Sequence, residues 1–303
     1  MSGSVDADKS LTETSDAARQ PAGGQPPGKP GGGFGDLAPR VISALVLVAG
    51  AGSTLWIGGD VFALFWLLAS FAVLWEWQGL IGARLRVARV VAGGAGLAVT
   101  AALAFVGEDS LTIIELLAIA GLLAVLAGPG KRLWASAGFI YAAALVVSVC
   151  ILRNSEDYGL LAIAWLFAVV WGTDVFAYFG GRLIGGPKLW PRVSAGKTWS
   201  GSLVGGVAGA LLGLVVAWLG AGPQAATPAL FLIGVAGSAL AQFGDLFESA
   251  VKRRFGVKDS SRLIPGHGGV MDRVDGFIFA SVFAAALGAL HGHGDAASGL
   301  FSW

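Results

Sequence analysis

From residue 41 onward the chain alternates long apolar runs with short polar connectors. The runs cover approximately 41–58, 61–80, 87–107, 110–128, 133–152, 159–181, 201–221, 227–250 and 276–291. At about 1.5 Å per residue, runs of this length reach across a hydrocarbon core roughly 30 Å thick. Backbone polar groups in lipid must be satisfied within the segment, so each run is expected to be a helix. The pattern therefore predicts an all-α, polytopic helical membrane protein with about nine transmembrane helices. The first gap, GGD ending at Asp60, predicts a tight turn, and the second span carries Glu76 between Trp75 and Trp77 close to its end. Ahead of the spans, residues 1–36 are rich in Ser, Asp, Gly and Pro with little to bury. They read as a disordered cytoplasmic tail. No apolar segment follows an early basic cluster, so this is not the pattern of a signal peptide.

Composition strengthens that reading. With 55% hydrophobic and 13% charged residues and a mean hydropathy of +0.73, the chain carries more apolar surface than a soluble domain can hide. Its 48 glycines suit helices that approach closely in lipid. The formal net charge of +1 conceals a segregation. Arg84, Arg86 and Arg89, then Lys131 and Arg132, then Arg182, Lys188, Arg192 and Lys197, then Lys252 through Arg273 occupy alternate connectors. The intervening connectors hold Asp60, Glu108, Asp109, Glu156 and Asp157, with Arg153 the exception. The positive-inside bias then places the N-terminus and the basic connectors in the cytoplasm and the C-terminus outside. Trp56, Trp77, Trp134, Trp190 and Trp199 sit near span ends, as an aromatic belt would place them. Cys150 is the single cysteine, which excludes an internal disulfide and a cysteine metal cluster.

The two halves differ in kind. Residues 37–155, the N-terminal transmembrane helices, hold almost no ionisable side chains within their spans, and Glu115 near an outer end reads as a snorkelling or capping residue. Residues 156–303 place Asp174, Asp245 and Glu248 in or at the ends of apolar runs, where charge is costly and usually functional. This half is the expected catalytic region. Asp174 needs a compensating cation, metal or proton; a structural ion pair is the plain alternative. The loop after it offers Arg182, Lys188, Arg192 and Lys197 among glycines, able to meet phosphate oxygens. The fragment SAGKTW is not a P-loop, because Pro191 stands where that motif needs glycine and no strand is expected before it.

On a helix Asp245, Glu248, Ser249 and Lys252 share one face, a polar stripe descending to the basic connector. The connector Ser249–Asp275 packs six basic residues, one His and three Asp between two apolar runs. Within it Gly266, Gly268 and Gly269 precede Asp272 and Asp275, expected in the first turn of the last span. Capping accounts for one such carboxylate but not for two beside Asp245 and so many cations. Mg²⁺ suits this set, since it takes one or two protein carboxylates plus substrate phosphate. His267 alone reads as a hydrogen-bonding loop residue; His291 and His293 have no assigned role.

These residues resemble the phosphatidate cytidylyltransferase (CDP-diacylglycerol synthase) family. Ser249, Val251, Lys252, Arg253, Lys258, Asp259, Ser261, Ile264, Pro265, His267, Gly268, Gly269, Val270, Asp272, Arg273, Val274 and Asp275 fit its signature without a gap. Gly244–Asp245 and the run from Asp174 to Trp199 resemble further features of the family, with a departure at Ala195–Gly196 that touches the roles of Ser194 and Lys197. The resemblance implies transfer of a cytidylyl group from CTP to phosphatidate, with Mg²⁺ as cofactor, at the cytoplasmic face of a bacterial-type inner membrane. In that mechanism Asp245, Asp272 and Asp275 hold the metal and Lys252, Arg253, Lys258 and Arg273 neutralise phosphates. His267 is a phosphate or loop-positioning donor, and Lys197, Ser194, Asp174 and Ser249 contact substrate. Membrane lipid is an expected partner and nucleic acid is not; a homodimer is left open. Two other readings stand beside it. A CDP-alcohol phosphatidyltransferase also clusters Asp around Mg²⁺, but its D-G-x₂-A-R…G-x₃-D-x₃-D arrangement is not found. A transporter also buries carboxylates at membrane depth, yet has no reason to mass charge in one cytoplasmic connector.

Overall fold

A computed structural model of the chain describes residues 37–82, 85–106, 131–261, 263–264, 268–292 and 294–303. The helices are α1 (Leu37–Ile57), α2 (Gly59–Leu80), α3 (Arg86–Val106), α4 (Arg132–Arg153), α5 (Gly159–Ile184), α6 (Trp199–Ala221), α7 (Pro228–Arg254), α8 (Met271–His291) and the short α9 (Ala296–Phe301). Seven of them, α2 to α8, are long and apolar enough to cross a membrane, whereas the apolar stretch of α1, Val41–Ile57, is shorter. The chain is an integral membrane protein. Eight of the nine predicted spans coincide with helices; the one at 110–128, like the tail 1–36, lies outside the described residues. A count of nine is therefore not reached among the described residues.

The connector after α5 departs from the all-α expectation. Strands β1 (Lys188–Trp190) and β2 (Ser194–Thr198) form an antiparallel hairpin with Lys188 opposite Thr198 and Trp190 opposite Ser194. A strand does precede Gly196–Lys197, contrary to expectation, but those two residues lie within β2 rather than at a helix start. Thr198 then caps α6, its hydroxyl accepting from Gly201 N at 3.1 Å.

The turn between α1 and α2 needs only Gly58 and Gly59, at φ 68° and 55°, values open to glycine at little steric cost. Here the exceptional Arg153 finds its use. Its guanidinium donates to the carbonyl of Leu55 at 3.3 Å, satisfying an open carbonyl at the C-terminus of α1, and lies 5.9 Å from the Phe62 ring centroid.

Helix α4 is buried along most of its length and forms the axis of the N-terminal half. Trp77 Nε1 and Gln78 Nε2 of α2 donate to its Trp134 and Ala135 carbonyls at 2.7 and 3.1 Å. The Ser148 hydroxyl meets Ser281 of α8 at 2.7 Å. These bonds fix the height of α2, and with it Glu76, against the C-terminal half.

In the C-terminal half, Gly201, Gly205, Gly209 and Gly213 recur every fourth residue of α6 and form a seam against α5. A Cβ at Gly205 would stand 2.6 Å from the Thr173 carbonyl oxygen, and one at Gly209 would stand 2.4 Å from Thr173 Oγ1 and 2.6 Å from the Val169 oxygen. Close packing of backbones replaces the hydrophobic drive that lipid cannot supply. Thr173 also bridges to Ser238 of α7 at 2.7 Å, setting the level of its neighbour Asp174. Gly209→Val is expected to destabilise the folded protein by about 3 kcal/mol, at the upper end of overpacking costs. Thermal unfolding in detergent checks this, with Gly52→Ala, where no atom lies within 4 Å of a new Cβ, as the neutral control.

Candidate active site

Helices α7 and α8 touch backbone to backbone where each carries a carboxylate beside a glycine. A Cβ on Gly244 would lie 2.5 Å from the Asp275 carbonyl oxygen, and one on Gly276 would lie 2.8 Å from Asp245 Oδ1. The pairs Gly244–Asp245 and Asp275–Gly276 thus bring two carboxylates from separate helices to one level. Asp174 of α5 completes the group: Asp174, Asp245 and Asp275 are within electrostatic reach of one another. Into it the hairpin delivers Lys197, whose ammonium donates to Asp245 Oδ2. Asp174 itself makes no hydrogen bond or ion pair among the described residues, and both Lys197 and Arg273 act on it through space.

A cleft of about 480 Å³ opens beside this group, lined by Asp174, Arg182, Lys188, Lys197, Ser202 and Gln242, with backbone from Gly181, Gly196 and Gly201. Cations and glycine backbone on one wall suit a polyphosphate.

A second group lies one turn further along α7. Lys252 bridges Glu248 at 2.5 Å and Asp272 Oδ1 at 2.6 Å. Asp272 Oδ2 accepts from Ser260 N at 3.1 Å, Ser260 Oγ at 2.9 Å and Gly269 N at 2.8 Å. The bond to Gly269, three residues back, ties the connector to the head of α8. Both Asp272 oxygens are therefore engaged. Glu248 is buried, and its Oε1 has no hydrogen-bond partner among the described residues.

Glu76, a lone carboxylate between two tryptophans, carries no motif that declares a role in the sequence. It reaches from α2 to the connector between α7 and α8. Its Oε1 accepts from Ser261 Oγ at 2.7 Å and Val270 N at 2.9 Å, and its Oε2 from Ser260 Oγ at 3.1 Å and Met271 N at 2.7 Å. The side chain is 1% exposed. No ion pair reaches it among the described residues; its charge is met by two hydroxyls and by open N–H groups at the N-terminus of α8, where the helix dipole favours an anion. The clue in the sequence was its position at membrane depth, where an ionisable group needs partners.

The remaining candidates are more dispersed. Arg273, at the head of α8, is exposed, as are Arg253 near the end of α7 and Lys258 in the connector. Arg253 Nη1 donates to the Val257 carbonyl at 3.4 Å. Ser249 is half-buried on α7, and Ser194 is half-buried on β2. His267 lies outside the described residues.

Among the described residues no three His, Cys, Asp or Glu side chains form a ready-made metal cage. The donor set still fits Mg²⁺, which completes its shell with water and phosphate and needs few protein carboxylates. Asp245 and Asp275 offer hard oxygens from adjacent helices, and Asp245 already holds a cation in the Lys197 ammonium. Asp272 would join only by releasing Lys252 or its Ser260 and Gly269 donors.

The profile of the cytidylyltransferase family matches residues 38–291. A phosphatidate cytidylyltransferase of Brucella abortus is 42% identical over 268 residues, covering 88% of this chain and 98% of the relative. The Bacillus subtilis protein of the same name is 42% identical over 158 residues, 50% of this chain and 58% of the relative. One from Helicobacter pylori is 43% identical over 134 residues, 44% of this chain and 48% of the relative.

Proposed function

This chain belongs to the cytidylyltransferase family, and we propose that the carboxylate–lysine group where α5, α7 and α8 meet is where a cytidylyl group passes from CTP to phosphatidate. The products are CDP-diacylglycerol and pyrophosphate. The observation that carries this reading is the convergence of Asp174 and Asp245 on Lys197, with Asp275 beside them, next to a cation-lined cleft.

A phosphatidate oxygen attacks the α-phosphorus of CTP in line; that P–O bond forms as the bond to the β-phosphate bridging oxygen breaks, and pyrophosphate leaves. A phosphomonoester is largely ionised near neutral pH, with a second pKa of about 6, so the attack requires no strong general base. Arg182, Lys188 and Lys197 hold the triphosphate in the cleft, while Arg253 and Lys258 attract it and stabilise the departing pyrophosphate. Arg273 receives the lipid phosphate. Mg²⁺ held by Asp245 and Asp275, with Asp174 beside them, would neutralise charge between the two phosphate groups. Lys252, Asp272 and Glu76 keep the connector in place so that Arg273 and Asp275 stay within electrostatic reach of Asp174. His267 serves as a phosphate or loop-positioning donor, and Ser194 and Ser249 as polar contacts to substrate. The chemistry thus belongs to residues 156–303, with Glu76 supplied from 37–155. The basic connectors face the cytoplasm from an inner membrane, which brings CTP and the lipid headgroup to the same side.

Purified protein in mixed micelles, given CTP labelled at the α-phosphate, phosphatidate and Mg²⁺, is expected to move label into extractable lipid. It should release one pyrophosphate per lipid formed and lose the reaction on chelation. Solute uptake without labelled lipid would instead favour a transporter.

A further inference from the structure

The polar cleft is lined by two kinds of side chain. Arg182, Lys188 and Lys197 are cations suited to phosphates, whereas Ser202 and Gln242 are polar and uncharged. Gln242 stands three residues before Asp245 on α7, so the two share a helix face about 4.5 Å apart along the axis. The Gln242 amide is held from three helices. Its Nε2 donates to the Ser202 backbone carbonyl of α6 at 3.2 Å and to Ser238 Oγ, one turn back on α7, at 3.4 Å. Ser238 is buried and meets Thr173 Oγ1 of α5 at 2.7 Å. A backbone carbonyl only accepts, so the nitrogen end of the amide must face α6, and a flipped amide would set oxygen against oxygen. Oε1 is thereby left as a fixed acceptor, and it receives no hydrogen bond among the described residues.

We propose that Gln242 Oε1 accepts a hydrogen bond from the N4 amine of cytosine, which makes Gln242 the residue that selects CTP over UTP. The inference rests on CTP being the nucleotide substrate and adds which side chain reads its base. The two substrates offer this acceptor different partners. Ionised phosphatidate presents ester and phosphate oxygens, which only accept. Cytosine carries an exocyclic amine, a donor, where uracil carries the O4 acceptor. UTP would place O4 against Oε1 with neither able to donate, the mismatch that a site built around a hydrogen bond rejects most strongly. The single helical turn between Gln242 and Asp245 suits the ribose that joins the base to the α-phosphate.

The test removes each partner of the bond in turn. In kcat/KM, wild-type protein is expected to favour CTP at least about a hundredfold over UTP. It should favour CTP about thirtyfold over the triphosphate of 2-pyrimidinone riboside, which lacks the amine. Gln242→Leu, similar in size and without hydrogen-bonding groups, should use CTP about thirtyfold less well and should treat CTP and the 2-pyrimidinone nucleotide alike within about twofold. Its KM for phosphatidate should stay within about twofold of wild type. Retention of the wild-type preference for the amine in Gln242→Leu would overturn the assignment. So would equal use of CTP and UTP by the wild type, or a variant that loses only its discrimination against dCTP, which would put Oε1 on the ribose. A wild-type protein that makes no CDP-lipid from CTP would overturn the functional reading instead. Photolabelling of wild-type protein by 5-azido-CTP, whose azide adjoins the amine, decides independently of how the variant folds. Adducts on α7 within one turn of Gln242 support the assignment, and adducts confined to other parts of the chain refute it.

Discussion

Asp245→Asn is expected to lower CDP-diacylglycerol formation by at least about a thousandfold at saturating CTP and phosphatidate, a barrier increase of about 4 kcal/mol. The substitution keeps size and shape but removes the charge that Lys197 contacts and that Asp174 and Asp275 adjoin. Without it Lys197 loses its direct anionic contact, and the metal loses an oxygen from α7. Asp275→Asn should act similarly from α8. Asp272→Asn is a different experiment, because that carboxylate neutralises Lys252 and accepts from Ser260 and Gly269. It should lower thermal stability as well as rate, since Lys252 is left with Glu248 alone and an amide nitrogen would face the Ser260 or Gly269 donors. Initial rates across a Mg²⁺ titration, alongside melting curves, separate the three variants.

Glu76→Ala is expected to reduce turnover by more than about a hundredfold while the helices stay folded, although Glu76 is given no contact with substrate. Three donors lose their acceptor, the Ser261 hydroxyl and two backbone N–H groups at the start of α8, while Ser260 Oγ keeps Asp272. Leaving a buried donor unsatisfied costs roughly 1–3 kcal/mol, so the connector should open rather than bear the sum. Arg273 and Asp275, on the first turns of α8, would then lose their registration with Lys197 and Asp245. Glu76→Gln should fall between, because its amide nitrogen faces donors with a donor. Hydrogen exchange provides the test: Val270 and Met271 amides should exchange faster in Glu76→Ala, with kcat falling more than KM rises. Unchanged exchange together with wild-type turnover would remove Glu76 from the positioning of the site.

What could be read in the sequence follows from how local each signal is. The spans were legible because a run of some twenty apolar residues has few alternatives, and eight of the predicted runs are helices here. The hairpin was not, because strands of three and five residues broken by Pro191 carry no usable period. It forms through pairing across the turn and through the anchorage of Lys197 on Asp245. The acidic and basic residues of the site were legible as a dense motif, and Glu248 and Lys252 pair at i,i+4 as the helical face required. Which cation meets which carboxylate was not legible, since Lys197 and Asp245 are 48 residues apart and meet only once the helices pack. Glu76 lies 184 residues from Ser260, so its role depends on the α2–α4 contacts that set its height. Arg153, the apparent exception to the charge pattern, is explained by a carbonyl 98 residues away.

The central claim is that Asp245 and Asp275, from separate helices, hold a divalent ion together with the triphosphate. Electron paramagnetic resonance of Mn²⁺ added to purified protein without nucleotide, which would itself bind the ion, tests the metal half of the claim most directly. Wild-type protein should remove the free-ion signal at one equivalent, and Asp245→Asn and Asp275→Asn should each leave most of it in solution. Equal Mn²⁺ binding by the wild type and both variants would contradict the claim.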